Sequence, residues 1–166
     1  MARGEVAAVE PESDAGRPFL LAAVRLDGWP EMHVVSLRLA PQPVRFDFWS
    51  ADSWRTYANI RRKHRQELAM ILHHLEAFPG DAPLVIAGDF NAPAGDAIFE
   101  LLRPKYADAF AESGRGWGCT LPNRFPLLRI DQVWTAGQIE PLATCTAVSQ
   151  TSDHRLLIAD LQLRSR

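Results

Sequence analysis

From Phe19 onward the chain alternates short apolar runs with one long stretch of helical spacing. Phe19–Leu26 and Met32–Leu39 are β-compatible runs joined across Asp27-Gly28-Trp29-Pro30-Glu31. Asp-Gly is a strong turn signal, so the two runs are expected to pair antiparallel. Between Trp54 and Phe78, the positions Tyr57, Ile60, His64, Leu68, Ile71, Leu72 and Leu75 keep the three-four spacing of one helical face. Asp52 or Ser53 is the expected cap, and Pro79-Gly80 the stop. Leu84-Val85-Ile86-Ala87 is apolar throughout, as in a strand buried on both faces. A short helix is expected over Ala97–Leu102, then a loop carrying Ser113, Gly114, Gly116 and Gly118. Three more strands follow, over Ile130–Thr135, Ala143–Val148 and Arg155–Leu163. Residues 1–18 are polar, acidic and broken by Gly and Pro, and read as a poorly ordered lead-in to one domain over residues 19–166.

Composition narrows the picture only a little. The chain has 166 residues, 47% apolar and 23% charged, which suits one globular domain and excludes overall disorder. A net charge of −2 provides no field that would by itself hold DNA or an acidic membrane. A local basic groove stays open: Arg61, Arg62, Lys63 and Arg65 crowd the first half of the long helix, as a solvated face or as a track for a phosphate backbone. Cys119 and Cys145 lie in unrelated segments and read as free thiols, not as a zinc site or a disulfide. No run approaches the ~18 apolar residues of a membrane span. The N-terminal stretch has no apolar secretory core, so a cytoplasmic location is the default expectation. Oligomeric state cannot be read.

Candidate chemistry gathers at strand ends. Asp89 and Asn91 follow the run Leu84–Ala87 in Gly88-Asp89-Phe90-Asn91. Asp131 lies in Arg129-Ile130-Asp131-Gln132-Val133-Trp134, and Asp153-His154 stand just before the last strand. α/β scaffolds usually place reactive groups at such ends. Each residue type suits phosphate-ester hydrolysis. Asp89 can take the proton of an attacking water. Asn91, being neutral, can donate to a phosphate oxygen without repelling it. A protonated His154 can stabilise charge on the phosphoryl group, with Asp131 as the carboxylate on its other nitrogen. Asp153 is a hard oxygen donor suited to Mg²⁺, Mn²⁺ or Ca²⁺. An ionisable group inside an apolar strand needs a partner, which sets Asp131 apart from an ordinary loop carboxylate.

Taken in this order, the three motifs resemble the endonuclease/exonuclease/phosphatase superfamily, from about Phe19 to the end of the chain. The resemblance implies an α/β (α+β) fold, a four-layer α/β/β/α sandwich, with part of its N-terminal half missing here. It implies a metal-dependent phosphoesterase in which Asp89 activates water, Asn91 binds phosphate or metal, Asp131 buttresses His154, and Asp153 is linked to the metal. Relatives carry an early Asn and a metal-binding Glu with no counterpart among Glu5, Glu10 and Glu12. Many also place a phosphate-contacting His where this chain has Arg38, a permanent cation able to serve the same end. The implied partner is a phosphate ester, with nucleic acid among the candidates. A truncated or non-catalytic phosphate-binding module is the alternative. Trp117 and the aromatic segment Phe46–Trp54 are candidates for base stacking or for packing on the sandwich edge.

Overall fold

The computed structural model describes residues 4–8, 18–42 and 49–164. Among the described residues, eight strands, two helices and one 3₁₀ turn build an α/β fold on two sheets. The first sheet has six strands, ordered β1 (Gly4–Ala8), β2 (Phe19–Leu26), β3 (Met32–Arg38), β4 (Leu84–Asp89), β6 (Asp131–Ala136) and β5 (Ala107–Asp108). The second is a hairpin of β7 (Ile139–Ala147) and β8 (Leu156–Leu163). As expected, β2 and β3 pair antiparallel across the Asp27-Gly28 turn. β3 and β4 run parallel, joined by the long helix α1 (Ala51–Leu75). Parallel neighbours need such a crossover.

Helix α1 forms where the spacing placed it, shifted about one turn toward the N-terminus. Its N-cap is Ser50, not Asp52 or Ser53. Its buried stripe is His64, Leu68, Ile71 and Leu75. That stripe packs on the inward residues of β2 to β4, including Leu21, Val35, Leu37 and Ile86. Fully burying one such side chain contributes about 1.5–3 kcal/mol. His64 is buried because it is satisfied: Nε2 donates to the Ala40 carbonyl at 2.6 Å, while the Ala40 N–H donates to Glu67 at 3.0 Å. The segment leaving β3 is thereby clamped to the helix.

Strand alternation sorts the sheet's two faces. Leu84, Ile86, Trp134 and Ala136 face α1 and the core. Ala87, Asp89, Asp131 and Val133 occupy the alternate positions of β4 and β6, on the other face. Several sequence expectations need correction. Part of the supposed lead-in is strand β1, paired with β2; residues 1–3 and 9–17 lie outside the described residues. β7 begins four residues earlier than expected, carrying Pro141 at a bulge between Pro141 and Ala143, where a missing ladder N–H is tolerated. β5 and the short helix α2 (Ala109–Ser113) were not foreseen. The expected helix at 97–102 is the 3₁₀ turn Ala97–Leu101, capped by Asp96 accepting from the Ile98 N–H.

Candidate active site

Register places the centre. Arg38 is the Cα partner of Asp89, and Asp89 that of Asp131. Cross-strand partners share a face, so the three side chains form one row across β3, β4 and β6. Arg38 Nε lies 3.7 Å from the Asp89 carboxylate. His154 arrives from the opposite sheet, just before β8, and its Nδ1 donates to Asp131 Oδ2 at 2.8 Å. Asp89, Asp131 and His154 each offer a ligand atom, all within 4.8 Å of one another.

Two backbone conformations aim the Asp89 loop. Gly88 has φ +144°, and a Cβ there would stand 2.0 Å from the Leu37 carbonyl oxygen, so only glycine lets β4 lie this close to β3. Asn91 adopts φ 48°, a left-handed conformation that Asn tolerates better than most residues. Its N–H donates to Asp89 Oδ1 at 2.9 Å. Its Nδ2 donates to the Leu39 carbonyl at 2.9 Å and to Asp89 Oδ2 at 3.1 Å. Both amide hydrogens are thus engaged, and Oδ1 is the atom without a partner among the described residues.

The Asp89 carboxyl is held above its ordinary pKa of 3.8, chiefly by burial and further by the Asp131 charge. The Asn91 N–H, His154 and Arg38 oppose that rise. Two carboxylates this close, one of them half-buried, make a hard oxygen set that a divalent cation would compensate. Asp153 does not join this cluster. Its side chain is exposed, and its backbone carbonyl accepts from the Asn123 N–H at 2.6 Å. Of two adjacent residues in a bent segment, only His154 turns toward Asp131.

Three supporting residues escaped the sequence reading. Thr120, fully buried, accepts from the backbone N–H of Asp131 through Oγ1 at 3.3 Å. Gln132, buried beneath the row, accepts the Trp134 indole N–H at 3.1 Å. Asn123 holds the His154 loop: Nδ2 donates to the Ser149 and Ser152 carbonyls, and Oδ1 accepts from the Ser149 N–H. Only polar residues beside the recognised motifs hinted at these roles. A cleft lined by Gly88, Asp131, Val133, Arg155 and Leu157 opens beside the row. None of the helices described is long and apolar enough to cross a membrane.

An α/β scaffold brings carboxylates, an amide and an imidazole together from the ends of two sheets, and comparison with known proteins gives the family. The sequence profile of the endonuclease/exonuclease/phosphatase family matches residues 17–154, and the chain belongs to that family. YbhP of Escherichia coli K12 is 30% identical over 112 residues, covering 64% of this chain and 44% of YbhP. A conserved protein of unknown function from Enterococcus faecalis V583 superposes with TM-score 0.72 at 17% identity, covering 98% of this chain and 66% of that one. D. rerio TDP2 complexed with a single-strand DNA product gives TM-score 0.62 at 17% identity, covering 96% and 67%. At these identities the structural likeness concerns the fold. The chain spans under half of the curated relative it matches and about two thirds of these structures.

Proposed function

We propose that the chain hydrolyses a phosphate ester with the help of a divalent cation, Mg²⁺ or alternatively Mn²⁺ or Ca²⁺. The observation that carries this reading is the Asp131–His154 bond beside the half-buried Asp89. Asp89 and the Oδ1 of Asn91 would hold the cation, with the exposed Asp153 left as an outer carboxylate. Once bound there, the ion supplies charge neutralisation on the phosphoryl oxygens and a more acidic water.

The chain's own groups do the rest. Asp89 accepts a proton as the water oxygen bonds to phosphorus in line with the departing ester oxygen. The P–O ester bond breaks, its oxygen takes up a proton from solvent, and Asp89 later returns its own proton to solvent. His154, its Nδ1–H held by Asp131, presents Nε2 to the phosphoryl oxygens and stabilises the charge that builds there. Arg38, exposed at the rim, adds a permanent positive charge for the same oxygens.

Bis(p-nitrophenyl) phosphate and p-nitrophenyl phosphate, assayed with Mg²⁺ or Mn²⁺ and with EDTA, test this directly. We expect metal-dependent release of nitrophenol, lost in His154→Ala and cut about 10²-fold or more in Asp131→Asn. Release from neither ester above the His154→Ala background would refute the reading. Phosphate binding without turnover would instead mark a phosphate-binding module.

A further inference from the structure

Beside the candidate centre, residues 119–128 fold back on themselves as a small hairpin. The Thr120 and Leu121 N–H groups donate to the Leu128 carbonyl at 2.8 and 3.0 Å, and the Leu127 and Leu128 N–H groups return to Leu121. Its inner side belongs to the site. Asn123, only 9% exposed, makes the three side-chain bonds to the His154 loop given above. Its carbonyl also accepts from Arg155 Nε at 2.8 Å.

The outer side looks different. Phe125 and Trp117 are both 73% exposed, although burial is where such rings gain most. Trp117 is not loose: its indole N–H donates to the Pro126 carbonyl at 3.0 Å, which ties the ring to the hairpin. Gly116 and Gly118 on either side take φ +83° and +74°, and a Cβ on Gly118 would strike the Phe110 ring at 2.4 Å. The backbone is therefore shaped to carry Trp117 at this point. Arg115 and Arg124, exposed beside the two rings, form no ion pair among the described residues. Phe125 stands two residues from Asn123, a span of at most about 7 Å, so its ring is carried by the same hairpin that holds the His154 loop.

We propose that this hairpin is the stacking surface for a single-stranded nucleic acid. Trp117 and Phe125 take unpaired bases next to the scissile phosphate, and Arg124 and Arg115 take neighbouring phosphates. Fixed aromatic faces combined with unpaired cations are what sequence-tolerant binding of single strands requires. A membrane-inserting tip is the competing use of exposed Trp and Phe. Here Leu127 and Leu128 are exposed beside the two rings, but Arg124 at the tip and Arg115 beside Trp117 set two cations among them, which suits a phosphate backbone better than a lipid interior. The proposal deepens the phosphoesterase reading by naming its substrate class and rests on it only for the phosphate between the bases.

The test is an equilibrium one, so it can be read even if no turnover occurs. Fluorescence anisotropy follows a labelled oligodeoxythymidylate bound to the full chain in EDTA. The expected results are tighter binding to the single strand than to a duplex of equal length, and a loss of about tenfold or more in Phe125→Leu and Trp117→Ala. Trp117→Phe, which keeps a ring, should recover part of the loss. Arg124→Gln should flatten the plot of log affinity against log salt by roughly 0.7, the value of one phosphate contact on a single strand. Circular dichroism melts confirm that the variants fold. Unchanged binding in Phe125→Leu and Trp117→Ala would overturn the proposal, as would no binding of the oligonucleotide. So would binding to phosphatidylcholine–phosphatidylserine vesicles that survives Phe125→Leu but is lost in Phe125→Asp. Failure of the nitrophenyl ester assay with oligonucleotide binding intact would refute the hydrolytic reading alone.

Discussion

Asp89 shows what a half-buried carboxylate costs the fold that carries it. Its pKa is raised in the folded chain, first by burial and then by Asp131. The folded state therefore holds the proton more tightly than the unfolded chain does. Below the ordinary value of 3.8 both states are protonated and nothing is lost. As pH rises through the folded pKa the group ionises in place, and stability falls. Asp89→Asn removes that charge and its Oδ1 still accepts the Asn91 N–H, while the weaker bond from Asn91 Nδ2 to Oδ2 is lost. In EDTA we expect this variant to melt a few degrees higher than the wild type at pH 7, with the gap closing toward pH 4. A gap that is constant or widens on acidification would contradict the assignment. That Asp89, Asn91, Asp131 and His154 lie together was legible in the sequence because each sits in a short motif at a strand end. Thr120, Asn123 and Gln132 were not, because a buried polar residue reveals its job only once its partners are in place.

At the scale of elements, periodicity served best where one element is long and one-sided. α1 and the β2–β3 hairpin were plain for that reason. α2 was missed because five residues show no period; its signal was the cap, Asp108, which accepts from the Phe110 and Ala111 N–H groups. The paired bonds from Arg129 to that same Asp108, at 2.7 and 2.6 Å, join residues far apart in sequence and leave no local trace. The crossover of β3, α1 and β4 yields a sharp expectation about which contacts hold the site. Ile71→Ala, a core truncation remote from the centre, should cost about 2–5 kcal/mol of stability in a urea melt and leave turnover of the surviving folded enzyme nearly intact. Gly88→Ala should be costly on both counts, because its Cβ collides with the Leu37 backbone and the strand bearing Asp89 must move. Wild-type turnover in Gly88→Ala would show that β4 can shift without disturbing the centre.

For the molecule as a whole, the second sheet is the exposed part. Leu156 and Ile158 point outward from β8 at 54% and 45% exposure, and Leu142 of β7 at 59%. On the first sheet Leu20 is 59% exposed on the face turned away from α1. Apolar sheet surface of this kind invites association. Light scattering of the chain alone should show a mass that rises with concentration, and the pair Leu156→Lys and Ile158→Lys should suppress it. A monomer at every concentration would mean that these side chains are satisfied as they stand. The row of Arg38, Asp89 and Asp131 has a consequence of another kind. Those three residues come from separate stretches of chain and meet only because three strands stop their ladders at the same rung. A slip of one residue in β4 would turn Asp89 over to the opposite face, toward α1, while leaving a similar count of backbone hydrogen bonds. Spectroscopy would scarcely notice such an isomer, yet under the proposed mechanism it could cleave nothing. In this architecture a turnover assay doubles as a proofreader of strand alignment, able to detect misassembled copies that a melting curve would pass as native.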